Sequence, residues 1–250
     1  MSPESRRREP SATRTTPETS IALRARYAIE QLIAQIQSEA ERTSFPIDEA
    51  VYQAANLKPT QPILYAGNLA SQLCFFGRDL GKDEVHARQP LYGAAGRLVR
   101  QGVYRAVYHQ ESSQNEELLA VCDHVLLTNT VPYKPPGNKA YLAGVKNRFR
   151  PFIERLLVIH WQGNQIITLG TEACKWFIPY GAKREVTGFF QRDDRYTASL
   201  QVTLKAVDNL RQPHEKQVTL LPLPHPSPLN EKYYAKFPEM LQQRLGKIFP

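Results

Sequence analysis

Two polar loops of the chain carry side chains that could act together on a bound ligand. Asp79 lies in the middle of the glycine-bounded turn 77–81, where a carboxylate can activate water or stabilise a positive charge. The segment 225–229, His-Pro-Ser-Pro-Leu, contains two prolines that fix φ and remove two amide donors. It is therefore predicted to be a stiff loop that presents an imidazole, a hydroxyl and an apolar tip together.

A third segment ends in an amide side chain. Asn129 lies near the end of the apolar run 124–131 and precedes the Pro-Pro-Gly-Asn sequence 135–138. An amide offers a carbonyl acceptor beside an NH2 donor, so it can pair with two neighbouring atoms on the edge of a pyrimidine. All three segments lie at the ends of predicted strands, and open α/β sheets bind ligands at the carboxyl ends of their strands. We therefore expect the three segments to form one site.

Apolar periodicity predicts the elements that hold these segments. Buried strands are predicted at 72–77, 124–131, 165–170 and 217–221, and amphipathic helices at 20–43, 139–160, 171–177 and 233–248. Strands that alternate with helices indicate an α/β fold, here a three-layer α/β/α domain around a four-stranded, mostly parallel sheet. Alternating residues between Phe189 and Val207 predict an additional β-hairpin around residues 191–195.

The composition predicts one soluble domain with an anionic partner. Residues 1–18 are rich in Arg, Ser, Thr and Pro and are predicted to form a disordered basic tail, and residues 19–250 a single domain. The formal net charge of +8 favours an anionic partner such as DNA, with an affinity that falls as salt rises. No apolar run reaches about 18 residues, the length that a membrane helix needs. We therefore expect no membrane partner, and a monomer in the cytoplasm that associates with the nucleoid.

In this order, the segments resemble the motifs of the uracil-DNA glycosylase superfamily. The turn 77–81 is similar to the first active-site motif of the classical enzymes, and residues 127–131 resemble their Leu-x-Asn-Thr-Val strand. The Pro-Pro-Gly-Asn loop is similar to that of the thermostable iron–sulfur branch. Residues 89–98 resemble the family's Pro-Phe-x-Gly-x-x-Gly segment, and 225–229 its minor-groove loop. The resemblance spans roughly residues 65–245.

This resemblance implies hydrolysis of the N-glycosidic bond of uracil, or of a related deaminated base, in DNA after the nucleotide is flipped out of the duplex. Asp79 would activate the attacking water, and His225 would donate a hydrogen bond to the departing base. Asn129 would read the pyrimidine edge, Ser227 would hold a phosphate, and Leu229 would fill the gap in the duplex. The other implied substrate-binding residues are Gly77, Arg78, Leu91 and Tyr92, and the implied DNA-binding residues are Pro135, Pro136, Gly137, Asn138, Ser227 and Leu229.

The cysteines depart from the pattern of the iron–sulfur branch. That branch holds its cluster with four thiolates, two of them in the N-terminal region, whereas this chain has three cysteines and none precedes Cys74. Tyr133 and Phe149 occupy the places of the third and fourth thiolates, so Cys122 and Cys174 lie elsewhere. We therefore predict that the protein needs no metal or other cofactor, and that aromatic packing holds these segments together.

Two pocket positions also depart from the superfamily pattern. Gly81 stands where the classical enzymes carry a tyrosine that excludes thymine, and Leu91 stands where the family stacks a phenylalanine on the base. A missing steric wall is worth about 1–3 kcal/mol of discrimination, so thymine or another deaminated base in a mismatch could enter. Tyr92 would restore the stacking if the backbone were shifted by one residue. The covalently trapping branch has a basic loop ending in histidine that residues 138–141 do not match, so we expect turnover.

Two other functions stay open at this point. Arg78 could pair with Asp79 and divert the carboxylate from water, because an adjacent cation lowers its basicity. The protein would then be a catalytically weak or inactive DNA-binding member of the superfamily that recognises damaged DNA. A third possibility is a nucleotide-binding α/β enzyme that uses the turn 77–81 for phosphate, which would leave the histidine loop unexplained.

Overall fold

A six-stranded sheet lies at the centre of the fold. The computed structural model describes residues 17–137 and 139–249, and their side chains from residue 26 onward. The strands are β1 (Tyr65–Gly67), β2 (Leu73–Gly77), β3 (Val125–Asn129), β4 (Gln165–Leu169), β5 (Leu200–Val207) and β6 (Pro213–Leu223). Their order across the sheet is β1-β3-β2-β4-β6-β5.

The four inner strands are parallel. β3, β2, β4 and β6 pair in parallel, whereas the edge strands β1 and β5 pair antiparallel with their neighbours. The inner strands are those predicted from the sequence, so the mostly parallel α/β sheet is confirmed. The predicted number of four strands is wrong, because the sheet has six. One missed strand, β1, has only three residues, which is too few for alternation to reveal it.

The other missed strand, β5, belongs to a β-hairpin whose predicted position is wrong. Residues 189–191 lie in a helix, and the hairpin is formed by β5 and β6 around a turn at 208–212. The Asp208 carboxylate fixes this turn by accepting hydrogen bonds from the amides of Leu210 and Gln212, both at 2.8 Å. The hairpin therefore extends the main sheet.

Helices cover both faces of the sheet. They are α1 (Pro17–Arg42), α2 (Glu49–Ala54), α3 (Lys82–Ala87), α4 (Ala94–Tyr108), α5 (Asn115–Ala120), α6 (Ala143–Arg155), α7 (Thr171–Trp176), α8 (Lys183–Gln191), α9 (Glu231–Tyr234) and α10 (Phe237–Leu245). None of the helices in the described part of the chain combines the length and the apolar composition needed to cross a membrane.

Several helix boundaries differ from those predicted. α1 begins at Pro17, so residues 17 and 18 of the predicted tail are helical, and its other residues, 1–16, lie outside the described part of the chain. α6 begins at Ala143 and continues into a π-helical turn, Leu156–His160, where the predicted helix ends. The closing helix is split into α9 and α10.

Two hydrophobic cores pack against opposite faces of the sheet. Phe76 of β2 belongs to one core and Phe75 to the other, because successive side chains of a strand point to opposite faces. α1 contributes Leu32 to the first core, and α4 contributes Val103 to the second. The predicted three-layer α/β/α arrangement is thereby confirmed.

Candidate active site

Asp79 lies just beyond the carboxyl end of β2, and its side chain is only 1% exposed. The Thr130 hydroxyl donates to Oδ1 at 3.2 Å, the Tyr141 amide donates to Oδ2 at 3.4 Å, and the Arg78 Nε atom lies 3.4 Å from Oδ2. Burial raises the pKa of Asp79, while the positive charges of Lys146 and Arg78 and the two hydrogen bonds lower it. The result is an oriented carboxylate whose basicity exceeds that of a solvated aspartate.

Asn129 lies beside this turn, because its Cα is in register with that of Gly77 on β2. The turn is fixed by the Thr130 amide, which donates to the carbonyls of Gly77 at 3.2 Å and Arg78 at 2.9 Å. The buried Asn129 Oδ1 atom has no hydrogen-bond partner among the described residues. Since an unsatisfied buried acceptor is costly, this atom is a natural partner for a donor on a ligand.

The side chain of Leu91 borders the same place. A Cβ atom built at Gly77 would lie 3.3 Å from both the Asn129 Nδ2 atom and the Leu91 Cδ2 atom. Leu91 adopts a φ of +53°, and its carbonyl accepts a hydrogen bond from the Arg100 Nε atom at 3.2 Å. Tyr92 instead contacts the Arg100 guanidinium, 5.8 Å from its ring centroid, and lines a cavity of about 470 Å³ between α3, α4 and α5. Of the two candidates for stacking, Leu91 is the one next to Gly77.

His225 reaches the same edge of the sheet from β6. It packs on Gly170 at the end of β4, where a Cβ atom would lie 2.8 Å from the His225 Cβ and the backbone has a φ of +84°. The residue keeps an exposed surface, while the atoms packed around its imidazole partly desolvate the ring. Its pKa is lowered, first by desolvation against the surrounding atoms and then by the positive charge of Arg78, so the neutral form is favoured.

Arg78 acts electrostatically on both the acid and the imidazole. Its charge lowers the pKa values of both Asp79 and His225. These two residues follow β2 and β6, which both pair with β4, so all three strands end at one edge. The structure thus brings Asp79, Asn129, Arg78 and His225 to the edge where parallel α/β sheets bind ligands.

Local hydrogen bonds order the loop 225–229, which its two prolines predict to be stiff. The Ser227 amide donates to the His225 carbonyl at 2.9 Å, and the Asn230 side chain donates to the same carbonyl at 3.1 Å. The Ser227 Oγ atom accepts from the Leu229 amide at 3.3 Å. Leu229 itself is 94% exposed, so its apolar side chain projects into solvent from a fixed backbone.

The loop that begins at Pro135 is followed in sequence by a residue that contacts Asp79. Pro135 is buried, whereas Pro136 and Gly137 are exposed; Asn138 lies outside the described residues. The chain then leads to Tyr141, whose amide donates to Asp79. Tyr141, the fourth residue after Gly137, therefore links the loop to the candidate acid.

Gly81 is explained by a neighbouring carboxylate. The Glu84 Oε2 atom accepts a hydrogen bond from the Gly81 amide at 3.0 Å and occupies the space where a side chain at position 81 would begin. The same carboxylate accepts from the Gly93 amide, and burial raises its pKa. Glu84 therefore joins the two glycine loops that border the site.

The places of the third and fourth cluster thiolates are filled by packed rings. Tyr133 and Phe149 are fully buried with centroids 5.2 Å apart, and Phe45 contacts them at 5.2 and 5.0 Å. The predicted aromatic packing is confirmed. Residues 17–137 and 139–249 contain no group of three or more His, Cys, Asp or Glu side chains that could hold a metal ion.

Sequence reasoning missed several residues that shape the site. Thr130 directly follows Asn129, and this place next to the strand end is the signal that could have identified it as a residue of the site. Glu84 stands three residues after Gly81, the spacing of a helix capping box. Lys146 forms an ion pair with Glu172 at 2.7 Å and acts on Asp79 from α6, and no local sequence pattern announces it.

Comparison with known proteins agrees with this geometry. A family model described as the uracil DNA glycosylase superfamily matches residues 64–248, most of the chain. No curated protein matches the sequence. The match includes the turn 77–81, Asn129 and the loop 225–229. The chain belongs to the uracil-DNA glycosylase superfamily.

Proposed function

We propose that the protein is a monofunctional uracil-DNA glycosylase. Membership of the superfamily indicates a DNA glycosylase. The substrate that we propose is uracil or a related deaminated base in DNA. The main support is that a hydrogen-bonded carboxylate, Asp79, and an amide oxygen without a hydrogen-bond partner among the described residues, Asn129 Oδ1, lie at the ends of adjacent strands. We further propose that it acts as a monomer in the cytoplasm, on the nucleoid.

Base extrusion comes before the chemistry. Flipping a nucleotide costs a few kcal/mol of stacking and pairing, and a side chain that fills the gap offsets part of this cost. Leu229 suits this role because it is exposed on a fixed loop. Ser227 in the same loop would contact a backbone phosphate.

In the chemical step, the bond between the base nitrogen and C1′ of the deoxyribose breaks, and its electron pair leaves with the base. Water attacks the oxocarbenium-like sugar, oriented by Asp79, which also stabilises its positive charge. The proton lost by the water leaves through Asp79. His225, neutral at ordinary pH, donates a hydrogen bond to the oxygen on which the uracil anion gathers charge. The products are the free base and an abasic site.

Base selection would rest on Asn129. Its amide pairs with the edge of uracil, and the unsatisfied Oδ1 atom would accept from the ring N–H. Leu91 beside Gly77 would contact a face of the base without aromatic stacking. Since Gly81 presents no wall, we expect weaker rejection of thymine in a mismatch than a tyrosine there would give, by about 1–3 kcal/mol.

A second candidate function is favoured by one contact. Arg78 lies 3.4 Å from the Asp79 carboxylate, whose side chain is almost fully buried. If this pair keeps water from Asp79, the protein binds damaged DNA with little catalysis.

A single-uracil oligonucleotide separates the two functions. The glycosylase proposal expects alkali-labile strand breaks with the wild-type protein and their loss in Asp79→Asn. Asp193→Asn, the same change at an exposed site, serves as a control and should keep wild-type activity. Tight binding without breaks would support the DNA-binding function instead.

A further inference from the structure

We propose that Lys134 is a positioning residue that holds the Pro135–Gly137 loop in the shape with which it contacts DNA. The loop is the segment that sequence resemblance assigns to DNA binding. The inference therefore rests on the proposed function.

The Lys134 ammonium lies beneath the loop with all of its donors in use. The residue is 3% exposed. Its Nζ atom donates to the Pro135 carbonyl at 2.9 Å, the Gly137 carbonyl at 2.9 Å and the Asp48 Oδ2 atom at 2.6 Å. An ammonium has three donors, so this group has none left for a phosphate. Its effect on DNA must pass through the loop.

The same ion pair fixes Gly137 from both sides. The Gly137 carbonyl accepts from Lys134, and its amide donates to the Asp48 carboxylate. Gly137 has a φ of +62°, a conformation that glycine adopts without steric cost. Pro136 and Gly137 are exposed above this support. The loop thus presents an outer surface of peptide groups over a buried ammonium and a half-buried carboxylate.

The support is itself tied to the rest of the domain. The Asp48 amide donates to the Lys134 carbonyl at 3.0 Å, and the Lys134 amide donates to the Tyr52 hydroxyl at 3.3 Å. Asp48 directly precedes α2, and Tyr52 lies within that helix. Because the loop is ordered before DNA arrives, binding does not have to bear the cost of ordering it.

The test compares DNA affinity with its salt dependence. Lys134→Met keeps the aliphatic stem and removes the three donors. Dissociation constants for a uracil-containing duplex are measured by fluorescence anisotropy, in an Asp79→Asn background that prevents turnover. We expect binding about tenfold weaker or more, since ordering even one backbone residue on binding costs about that factor. The slope of log K against log salt should not change, because no phosphate contact is lost.

Lys139→Met is the matched control. Lys139 is an exposed lysine of the same segment. As an exposed cation beside the loop it should contact a phosphate, and its loss should reduce the magnitude of the salt slope by about 0.9. Lys134→Arg should not rescue binding, because a planar guanidinium cannot place donors in the three directions that an ammonium reaches.

Three results would overturn the proposal. They are wild-type affinity in a folded Lys134→Met protein, a salt slope that falls as it does in Lys139→Met, and full rescue by Lys134→Arg. If Lys134→Met does not fold, Asp48→Asn tests the support instead: hydrogen exchange of the Gly137 amide should accelerate, and unchanged exchange would contradict the inference. A wild-type protein that binds no DNA would refute the proposed function, and Gly137 exchange would still show whether the ion pair holds the loop.

Discussion

Replacement of Thr130 by valine should weaken catalysis by misplacing Asp79. The fully buried Thr130 hydroxyl donates to the Asp79 Oδ1 atom at 3.2 Å and also to the Arg78 carbonyl. Valine has nearly the same shape and lacks the donor, so the change removes these bonds with little loss of packing. Asp79 would keep the Tyr141 amide as its neutral donor.

The expected loss of rate in Thr130→Val depends on how many acceptors share the Thr130 hydroxyl proton. A hydrogen bond to a charged group contributes about 1.5–3 kcal/mol. The single Thr130 proton is shared between two acceptors, so we take the lower end, which corresponds to about a tenfold slower chemical step. The pKa of Asp79 is already raised by burial, and Thr130 opposes that rise. Without it the pKa rises further, so the acidic limb of the pH–rate profile should move to higher pH.

The assay is single-turnover release of uracil from a duplex between about pH 5 and 9, which brackets the titrations of carboxylates and imidazole. Thr128→Val is the matched control, because the Thr128 hydroxyl is equally buried but donates to the Leu64 carbonyl, at 2.7 Å. Both variants should lose similar stability, about 1–1.5 kcal/mol. If Thr130→Val keeps the wild-type rate and pH profile, or if Thr128→Val loses as much, Thr130 does not orient the acid.

Three further predictions concern the acid, the apolar tip and the histidine support. Asp79→Asn should raise the melting temperature near pH 7, because the raised pKa means that the ionised side chain is unfavourable in the folded state. This gain should shrink as the pH falls and the wild-type carboxyl becomes protonated; calorimetry showing a lower melting temperature at pH 7 would contradict it. Leu229→Ala should slow uracil release from duplex DNA about tenfold or more and affect release from single-stranded DNA less, because only a duplex leaves a gap to fill. An equal loss on both substrates would show that Leu229 does not fill this gap. Gly170→Ala should cost about 1–3 kcal/mol through its positive φ and displace His225, lowering both melting temperature and uracil release. An active, equally stable variant would show that the contact is unimportant.

The inner sheet and its order of motifs could be predicted because the signals are local. Each inner strand is buried on both faces toward its carboxyl end, in β6 over residues 220–223, and the candidate acid, amide and histidine stand at or just beyond these ends. The edge strands were missed or misplaced for a physical reason. β1 is too short for a pattern, and β5 alternates as a hairpin strand does, without showing which partner it joins.

The details of the site depend on contacts between distant segments. The hydrogen bonds that orient Asp79 come from Thr130 and Tyr141, which are 51 and 62 residues away in sequence. The support of Gly137 requires Asp48, 86 residues from Lys134. No periodicity encodes such pairs. Tyr92 shows the same limit, because its direction depends on the unusual backbone of Leu91 and not on its place in a motif.

A double-mutant cycle on uracil release tests most directly whether Asp79 and His225 act on one base. Single-turnover rates are measured for the wild-type protein, Asp79→Asn, His225→Ala and the double variant on the same duplex. Groups that act together on one transition state give non-additive losses, so the double variant should be slowed far less than the product of the two single effects. Losses that multiply fully, or wild-type rates in either single variant, would contradict the shared site.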